Sequence, residues 1–413
     1  MIKKYDVVII GGAGHIGLPL GIAFAGAGKQ TVLYDLNIKT LETIADGKMP
    51  FLESGAESVL KTVIHKTLHV SDQKKVVAQS KFVVVVIGTP VDEHLNPQFT
   101  LFKNFFDSLL EVLDDSQHII LRSTVFPGAT QKVKEYLESK GKKCAISFCP
   151  ERLAQGKAME ELYTLPQIVA SSSDKAFQEV QNLFLTLTKK VIRLNFLEAE
   201  LAKLYTNSWR YIQFATANQF YQIAQDHGVD FYNIYGAMTT DYPRTKGFPG
   251  AGFAAGPCLF KDTMQLAAYA NNNFFLGHAA MLINEGMPNF IVSELKKEFI
   301  LKEKTVGILG MAFKPNNDDK RESLSYKLKK ILEIEAEKVL CSDVYINDDD
   351  FVSPKKLIAN SDIIIVATPH KEYKMLTMPV GKKIIDMWNF YKKEEHEASA
   401  CYRSSRVHSR VSS

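Results

Sequence analysis

Short apolar runs dominate the first half of the chain, up to about residue 195. They are rich in Val and Ile, and most are apolar at successive rather than alternate positions. Such runs are typical of strands in a parallel sheet that helices cover on both faces. The predicted strands are residues 5–11, 31–35, 82–88, 118–123, 145–149, 167–171 and 190–194, with helices such as 16–27 and 129–140 between them. The repeated strand–helix–strand order predicts a doubly wound α/β domain.

The pattern changes near residue 198. Residues 199–227 contain no Pro or Gly and carry helical periodicity, which predicts one long helix. Residues 242–262 are rich in Gly and Pro and predict a shaped loop. A second helical stretch follows over 263–297, with a break near 271–273. The α/β pattern then restarts, with predicted strands at 305–310, 338–342, 362–367 and 383–386.

These elements predict an α/β protein with two Rossmann-like doubly wound domains joined by a long central helix. The predicted boundaries are residues 1–196 for an N-terminal dinucleotide-binding domain, 197–300 for a central helical region and 301–393 for a C-terminal domain. Residues 394–413 lack apolar periodicity and are rich in Ser, Arg and His, so we expect a disordered tail.

Composition narrows the classes of function. The 413 residues are 46% hydrophobic and 23% charged, which is ordinary for a globular chain. Fifty Lys and Arg against 46 Asp and Glu give a formal charge of +4, which predicts neither a nucleic acid nor a membrane surface as partner. The N-terminus lacks a signal-peptide pattern, and the five cysteines are scattered and odd in number. We therefore expect reduced thiols in the cytoplasm, and no metal site is predicted.

A glycine-rich turn follows the first predicted strand. Gly12, Gly14 and Gly17 lie between that strand and a helix, and Asp35 ends the second strand. Glycines let the backbone approach a pyrophosphate, and the helix N-terminus offers free N–H groups. A carboxylate at position 35 can accept the 2′-hydroxyl of an adenosine ribose and would repel a 2′-phosphate, so NAD is favoured over NADP. The alternative is an ordinary tight turn with a solvated Asp35.

Polar residues also follow two other predicted strands. Gly88 and Thr89 end one of them, and Ser123 and Thr124 end another. Open α/β sheets bind ligands at the carboxyl ends of their strands, although such residues more often only cap a turn.

The long predicted helix carries a polar stripe. Lys203, Asn207, Arg210, Phe214 and Asn218 are spaced by three or four residues and so share one face. Such a face is either solvated or a cationic, hydrogen-bonding wall for an anionic substrate or an oxyanion.

Cys258 stands apart from the other cysteines. It follows Gly256 and Pro257 and precedes a predicted helix, with Lys261 and Asp262 close behind. A thiol at a helix N-terminus near lysines is a candidate nucleophile, whereas a lone Cys is more commonly a buried structural residue. The other cysteines fit the structural interpretation better.

Seven ordered motifs over about residues 3–392 resemble the nucleotide-sugar 6-dehydrogenases, the UDP-glucose and UDP-N-acetylhexosamine dehydrogenase family. The motifs are GAGHIG at 12–17, GTP at 88–90, STVFPG at 123–128, PERLAQG at 150–156, AELAKLYTN at 199–207, GPCLFKD at 256–262 and FKPNNDDKRES at 313–323. The resemblance implies a cytoplasmic enzyme for polysaccharide precursors that oxidises a C6 alcohol twice with NAD. It also implies a homodimer.

The resemblance implies a role for each motif residue. Cys258 would add to the C6 aldehyde, with Lys203 and Asn207 stabilising the oxyanion. Glu151 would act as base in thioester hydrolysis, and Asp262 would orient the lysine or a water. Thr124 would hold water. Contacts with NAD are implied for Gly12, Gly14, His15, Ile16, Gly17, Asp35, Gly88, Thr89, Ser123 and Thr124.

The substrate site follows from the same resemblance. Its implied residues are Glu151, Arg152, Leu153, Lys203, Asn207, Arg210, Arg244, Gly256, Phe313, Lys314 and Arg321. Arg152, Arg210 and Arg244 resemble the N-acetylhexosamine branch, so UDP-GlcNAc or UDP-ManNAc is expected rather than UDP-glucose. Gln155 departs from many members of the glucose branch, which carry a second glutamate there. A two-electron dehydrogenase of the hydroxyacid or 6-phosphogluconate kind and a non-catalytic sensor remain alternatives.

Overall fold

The computed structural model describes residues 3–88 and 99–391. The chain forms two compact units. The first combines Met1–Asn207 with Lys261–Phe274, and the second combines Ser208–Phe260 with Phe275–Ser413. The domain boundaries at 196, 300 and 393 stay predictions, and the predicted tail lies outside the described residues.

The first unit is built on an eight-stranded sheet with the order β3-β2-β1-β4-β5-β6-β7-β8. Its strands are β1 (Tyr5–Ile10), β2 (Thr31–Tyr34), β3 (Leu68–Ser71), β4 (Ser80–Val85), β5 (His118–Leu121), β6 (Ala145–Phe148), β7 (Gln167–Ser171) and β8 (Val191–Arg193). The seven strands predicted for this region are confirmed within a few residues at each end. β3 was missed because only its first residue is fully buried, so it has no apolar run.

The successive apolar positions of the strands serve two cores. In β1, Val7 and Ile9 pack into the hydrophobic cluster on one face of the sheet, whereas Val8 and Ile10 pack into the cluster on the other. Side chains alternate between the faces of a strand, so a strand covered on both sides must be apolar throughout.

Helices cover this sheet. They are α1 (Gly17–Gly26), α2 (Ile38–Ala45), α3 (Ala56–Val63), α4 (Lys75–Ala78), α5 (Phe99–Leu109), α6 (Ala129–Ser139), α7 (Ala158–Thr164) and α8 (Asp174–Phe184).

One strand pairing departs from the predicted parallel order. β6 and β7 are antiparallel, whereas every other pair in the sheet is parallel. The helix between them, α7, has seven residues and spans about 10 Å. A parallel crossover normally needs a dozen or more residues of helix and loop. The connection between β6 and β7, residues 149–166, is long enough for one, so its length does not decide the antiparallel direction of β7.

The second unit contains a four-stranded parallel sheet with the order β10-β9-β11-β12. Its strands are β9 (Thr305–Leu309), β10 (Lys338–Ser342), β11 (Ile363–Val366) and β12 (Lys383–Ile385). All four were predicted from the sequence. The remaining helices are α9 (Phe196–Asp226), α10 (Phe231–Thr239), α11 (Leu259–Tyr269), α12 (Phe275–Glu298), α13 (Leu324–Glu335) and α14 (Pro354–Asn360).

The long central helix is confirmed as α9, which has 31 residues. The predicted break in the next helical stretch is confirmed between α11 and α12. Asn271 and Asn272 there have left-handed φ values of 52° and 61°, a conformation that Asn tolerates better than most residues.

Candidate active site

The turn after β1 is shaped by close contacts that only glycine permits. Gly11 has a φ of +80°, and a Cβ added there would lie 2.0 Å from the carbonyl oxygen of Val86. A Cβ at Gly12 would lie 2.7 Å from the Cβ of Leu33, and one at Gly17 would lie 2.4 Å from the oxygen of Gly11. Gly11 was not among the predicted site residues, although the Gly-Gly pair after the strand could have indicated it.

The outer side of this turn is open. Gly14 is exposed, and an added Cβ there would meet nothing closer than 3.6 Å. Ile16 lies at the N-terminus of α1, whose free N–H groups suit a pyrophosphate. Half-buried Asp35 accepts hydrogen bonds from the backbone N–H groups of Ala13 and Asn37, both at 3.0 Å. These bonds hold its carboxylate beside the turn, where an adenosine ribose can bind, so the residues present fit NAD.

His15 connects this turn to the loop that carries Glu151. Its Nδ1 lies 2.9 Å from Nε2 of Gln155, and its ring lies 4.0 Å from the ring of Phe51 between centroids. The buried Glu53 accepts a hydrogen bond from the N–H of Gly156 at 2.8 Å. Gln155, which stands where many members of the glucose branch carry a second glutamate, therefore contacts the glycine-rich turn through His15.

The other strand ends lie beside one another. Gly88 follows β4 and is exposed, and Thr89 lies outside the described residues. The hydroxyl of Ser123, after β5, donates to the carbonyl of Ile87 at 2.7 Å, so Ser123 braces the neighbouring strand end. Thr124 is half-buried beside it.

Glu151 and Lys203 form a buried ion pair. The Lys203 Nζ lies 3.4 Å from Oε1 of Glu151, and the residues are only 3% and 8% exposed. The other carboxylate oxygen accepts the N–H of Leu153 at 2.7 Å. The solvated-face interpretation is therefore wrong for Lys203, because burying an ammonium requires a partner.

Asn207 continues this buried polar group one turn along α9. Its Nδ2 donates to Oδ2 of Asp262 at 2.6 Å, and both residues are buried. The Lys261 Nζ lies 3.5 Å from the other oxygen of Asp262. Asp262 therefore contacts Asn207 and Lys261, whereas Lys203 is paired with Glu151.

The other three residues of the polar stripe differ in their exposure. Arg210 is exposed and Phe214 is half-buried. Asn218 is fully buried, donates to Oδ1 of Asn284 at 2.9 Å and accepts the N–H of Gly252 at 2.9 Å. The Asn218 side chain therefore serves the packing of the second unit.

Two arginines near Glu151 donate hydrogen bonds to other groups of the protein. Arg152 donates to the carbonyl of Pro166, and burial lowers its pKa. Leu153 packs against the core. Arg122, which the sequence analysis did not single out, is 1% exposed and donates to Oε1 of Gln167 at 2.9 Å. Burial lowers the pKa of Arg122, and the charge of Glu151 opposes that effect.

Cys258 is exposed and directly precedes α11. Its loop is held in the second unit by Gly256, which has a φ of +105° and donates its N–H to the carbonyl of Glu322 at 3.2 Å. A Cβ at Gly256 would lie 2.5 Å from Cδ2 of Phe313. The cysteine loop therefore packs against the 313–323 segment at a distance that only glycine permits.

Charged side chains of that segment lie near the loop. Arg321 donates from Nε and Nη2 to the carboxylate of Asp319, at 3.0 and 2.6 Å. That hydrogen bond raises the pKa of Arg321, and the charge of Cys258 adds to the increase. The Lys314 Nζ lies 5.8 Å from the ring centroid of Phe313. These groups offer two cations and an aromatic face.

Arg244 lies on an exposed turn of the second unit. Its Nη1 donates to the hydroxyl of Tyr242 at 3.0 Å. An exposed guanidinium held by a neighbouring ring is available to a ligand or a partner.

Comparisons with known proteins identify the family. The UDP-glucose/GDP-mannose dehydrogenase family models match in chain order: the NAD binding domain over residues 6–188, the central domain over 197–286 and the UDP binding domain over 307–393. A UDP-N-acetyl-D-mannosamine dehydrogenase from Pyrococcus horikoshii is 30% identical over 387 residues, covering 90% of this chain and 92% of that protein. The chain belongs to the UDP-glucose/GDP-mannose dehydrogenase family. It is an NAD-dependent nucleotide-sugar dehydrogenase.

Other relatives agree. A UDP-N-acetyl-D-mannosamine dehydrogenase from Methanococcus vannielii is 30% identical, covering 90% of this chain and 87% of that protein. The solved structure of the Pyrococcus horikoshii UDP-D-ManNAc dehydrogenase superimposes with a TM-score of 0.85 at 27% identity, covering 94% of this chain and 100% of that one. A UDP-glucose dehydrogenase from Pyrobaculum islandicum, at 23% identity and a TM-score of 0.84, covers 95% of this chain and 98% of that one and shows the fold alone.

The matched ranges show in which domain each predicted site residue lies. The glycine-rich turn and Glu151 lie in the NAD-binding domain, whereas Phe313, Lys314 and Arg321 lie in the UDP-binding domain. Cys258 lies in the central domain.

The remaining cysteines of the dehydrogenase differ from Cys258. Cys149 and Cys341 are buried and Cys144 is half-buried. Burial raises the pKa of all three thiols, to about 12 for Cys341 and about 11 for Cys144. The interpretation as buried structural cysteines is confirmed for Cys149 and Cys341. Cys401 lies outside the described residues.

Across residues 3–88 and 99–391, no helix combines the length and apolar character needed to cross a membrane.

Proposed function

We propose that this dehydrogenase oxidises C6 of a UDP-N-acetylhexosamine, UDP-ManNAc or UDP-GlcNAc, to the uronic acid in two successive steps. One observation carries the proposal. The exposed Cys258 lies on a loop packed against Phe313 of the UDP-binding domain, in a chain whose relatives are named UDP-N-acetyl-D-mannosamine dehydrogenases. The product would be a precursor for surface polysaccharides. The free cysteines of the described residues fit a reducing compartment such as the cytoplasm.

Bound NAD supplies the hydride acceptor at each oxidation. The first oxidation turns the C6 alcohol into an aldehyde and releases one proton. The Cys258 thiolate then adds to the aldehyde carbon, a C–S bond forms, and the carbonyl electron pair moves to oxygen. The Lys203 ammonium and the Asn207 amide would stabilise that oxyanion, because fixed donors stabilise the negative charge that develops on the oxygen.

Hydrolysis completes the reaction. The second oxidation converts the thiohemiacetal to a thioester, which water must cleave. Glu151 would accept a proton from that water, with Asp262 and Thr124 holding it in place, and the C–S bond breaks as Cys258 leaves as thiolate. Over the whole reaction one alcohol, two NAD and one water give one carboxylate, two NADH and three protons.

The sugar nucleotide would be held by the second unit. The Phe313 ring and the cations of Lys314 and Arg321 suit a uridine diphosphate, because a diphosphate binds best to fixed positive charge. Choice of an N-acetylhexosamine rests on Arg210 and Arg244, which are exposed. Arg152, whose guanidinium donates to Pro166, would shape the loop around Glu151 rather than contact the sugar.

The test counts NADH formed per sugar consumed, with NAD and each of UDP-ManNAc, UDP-GlcNAc and UDP-glucose. Two NADH with an N-acetylhexosamine is the expected result. Two NADH with UDP-glucose alone would refute the substrate, and one NADH per sugar would refute the four-electron reaction. Cys258→Ala should form no uronic acid, whereas Cys144→Ala, at a half-buried thiol, should match the parent.

We also infer a homodimer formed through α9. Trp209, Phe220 and Ile223 are 60%, 40% and 48% exposed, and at 100° per residue they lie within an arc of about 60° on the helix. Exposed large apolar side chains on one face favour a protein partner. Trp209→Glu should give monomers in sedimentation velocity, whereas Leu185→Glu, at an equally apolar and 45% exposed site on another element, should not. Equal mass for both variants and the parent would contradict this interface.

A further inference from the structure

The turn after β9 repeats the design of the turn after β1. Gly310 has a φ of +90°, and a Cβ there would lie 2.2 Å from a backbone oxygen; for Gly11 the values are +80° and 2.0 Å. In each sheet an aspartate directly follows the neighbouring strand, Asp35 after β2 and Asp343 after β10. The two carboxylates therefore occupy equivalent places and can be compared.

Asp343 is saturated by protein donors. Its side chain is fully buried, and its oxygens accept four backbone N–H groups and one imidazole. The donors are Tyr345 (2.7 Å), Ile346 (3.1 Å), Met311 (2.6 Å), Ala312 (3.0 Å) and His370 Nε2 (3.0 Å). A carboxylate offers about four acceptor sites. Asp343 thus has no capacity left for a ribose hydroxyl, whereas Asp35 is half-buried.

His370 extends the contact to a second point on the chain. Its side chain is also fully buried. Because Nε2 donates to Asp343, Nδ1 is the acceptor, and it accepts the N–H of Asn316 at 2.9 Å. Asn316 has a left-handed φ of +56°, and its Oδ1 accepts the N–H of Lys371 at 2.9 Å. The neutral imidazole therefore helps to hold Asn316 in this left-handed conformation.

Ala312 is bonded to Asp343 and Asn316 is bonded to His370. Residues 313–315 lie between these two points. We propose that Asp343 and His370 are positioning residues that hold Phe313 and Lys314 in the orientation that binds the uridine diphosphate. The proposal rests on the nucleotide site described under the proposed function. The second glycine turn would then position a neighbouring segment, whereas the first is expected to bind NAD itself.

The physical reason is preorganisation. Residues 313–315 lie outside regular secondary structure, and the backbone hydrogen bond from the N–H of Phe313 to the carbonyl of Asp319, at 3.0 Å, is not part of a helix or a strand ladder. A segment that is ordered before the ligand arrives does not lose its conformational entropy on binding. Anchoring residues 312 and 316 from one buried pair provides that order.

Two variants test separately the hydrogen bonds that His370 makes with Asp343 and with Asn316. His370→Asn keeps an acceptor near the Nδ1 position and loses the donor to Asp343, whereas His370→Gln keeps the donor and loses the acceptor for Asn316. Each should weaken UDP binding by about tenfold or more in isothermal titration, because residues 313–315 would then have to be ordered when UDP binds. The Kd for NAD should not change. Tyr373→Phe, which removes only a neighbouring buried hydroxyl, should leave the Kd for UDP unchanged.

A double-variant cycle tests whether His370 acts through the segment. Lys314→Ala should weaken UDP binding, and adding His370→Gln should weaken it by less than the two single effects combined. If Lys314→Ala and Phe313→Ala leave the Kd for UDP unchanged, the nucleotide site itself is wrong. If they weaken it but folded His370 variants bind UDP like the parent, the positioning role is wrong.

Hydrogen exchange on the unmodified enzyme tests whether the segment is ordered before UDP binds. The amides of Met311, Ala312 and Asn316 should be protected before UDP is added. Protection that arises only after UDP is added would overturn the proposal.

Discussion

The contact between Gly256 and Phe313 supports a prediction about both stability and ligand binding. Gly256→Ala would place a methyl group 2.5 Å from the ring at a φ of +105°. The conformation costs a non-glycine residue about 1–3 kcal/mol. Overpacking against the ring costs about another 1–3 kcal/mol. The variant should therefore lose about 2–6 kcal/mol of unfolding free energy.

Gly381→Ala is the matched control for the backbone cost. Gly381 lies in the same unit, has a φ of +90°, and an added Cβ there would meet nothing within 4 Å. The control should lose only the conformational cost of about 1–3 kcal/mol. The difference between the two variants therefore measures the clash with Phe313.

The assay is scanning calorimetry combined with UDP titration. Each kcal/mol should lower the Tm by about 2–4 °C. Gly256→Ala should have a lower Tm than Gly381→Ala and should bind UDP more weakly, because the displaced ring belongs to the proposed nucleotide site. Adding Phe313→Leu should recover part of the lost Tm. Equal Tm values for the two alanine variants would refute the tight contact.

Three further predictions test other parts of the enzyme. Asp35→Asn should raise the ratio of kcat/KM for NADP to that for NAD by about tenfold or more, because the carboxylate no longer repels a 2′-phosphate; an unchanged ratio would contradict its assigned place. Lys203→Met should cost about 3–5 kcal/mol in urea unfolding by removing the ammonium partner of the buried Glu151 carboxylate, and adding Glu151→Gln should restore much of it. At pH 8 iodoacetamide should label Cys258 before Cys341 in peptide mass spectrometry. Burial raises the pKa of Cys341 to about 12, so its thiol stays protonated at the pH of the assay. Equal labelling rates for the two cysteines would contradict this prediction.

The strands and the long helices could be predicted because their signals are local. A strand covered on both faces must be apolar at every position, and β1 shows that pattern within six residues. The glycine-rich turn was predictable for the same reason, because its tight geometry excludes a Cβ at Gly11, Gly12 and Gly17. The antiparallel β6–β7 pair was not, since the apolar pattern of β7 is the same whichever way the strand runs.

The partners of the polar residues could not be predicted, because they come from distant parts of the chain. The periodicity of α9 placed Lys203 and Asn218 on one face but did not say that Lys203 meets Glu151, 52 residues away, or that Asn218 serves the packing of the second unit. Arg152 shows the same limit, because its contact with the Pro166 carbonyl depends on how the loop after β6 folds back.

The sequence by itself determined the classes of element, the order of the motifs and the chemistry they can perform, since these depend on neighbouring residues. Only the tertiary structure decided which charges are buried and which carboxylate remains open to a ligand. Asp35 and Asp343 follow equivalent strands, yet one is half-buried and the other is saturated by His370 and four backbone N–H groups. That difference arises from residues 27 positions apart in the chain, and burial makes every such pairing obligatory.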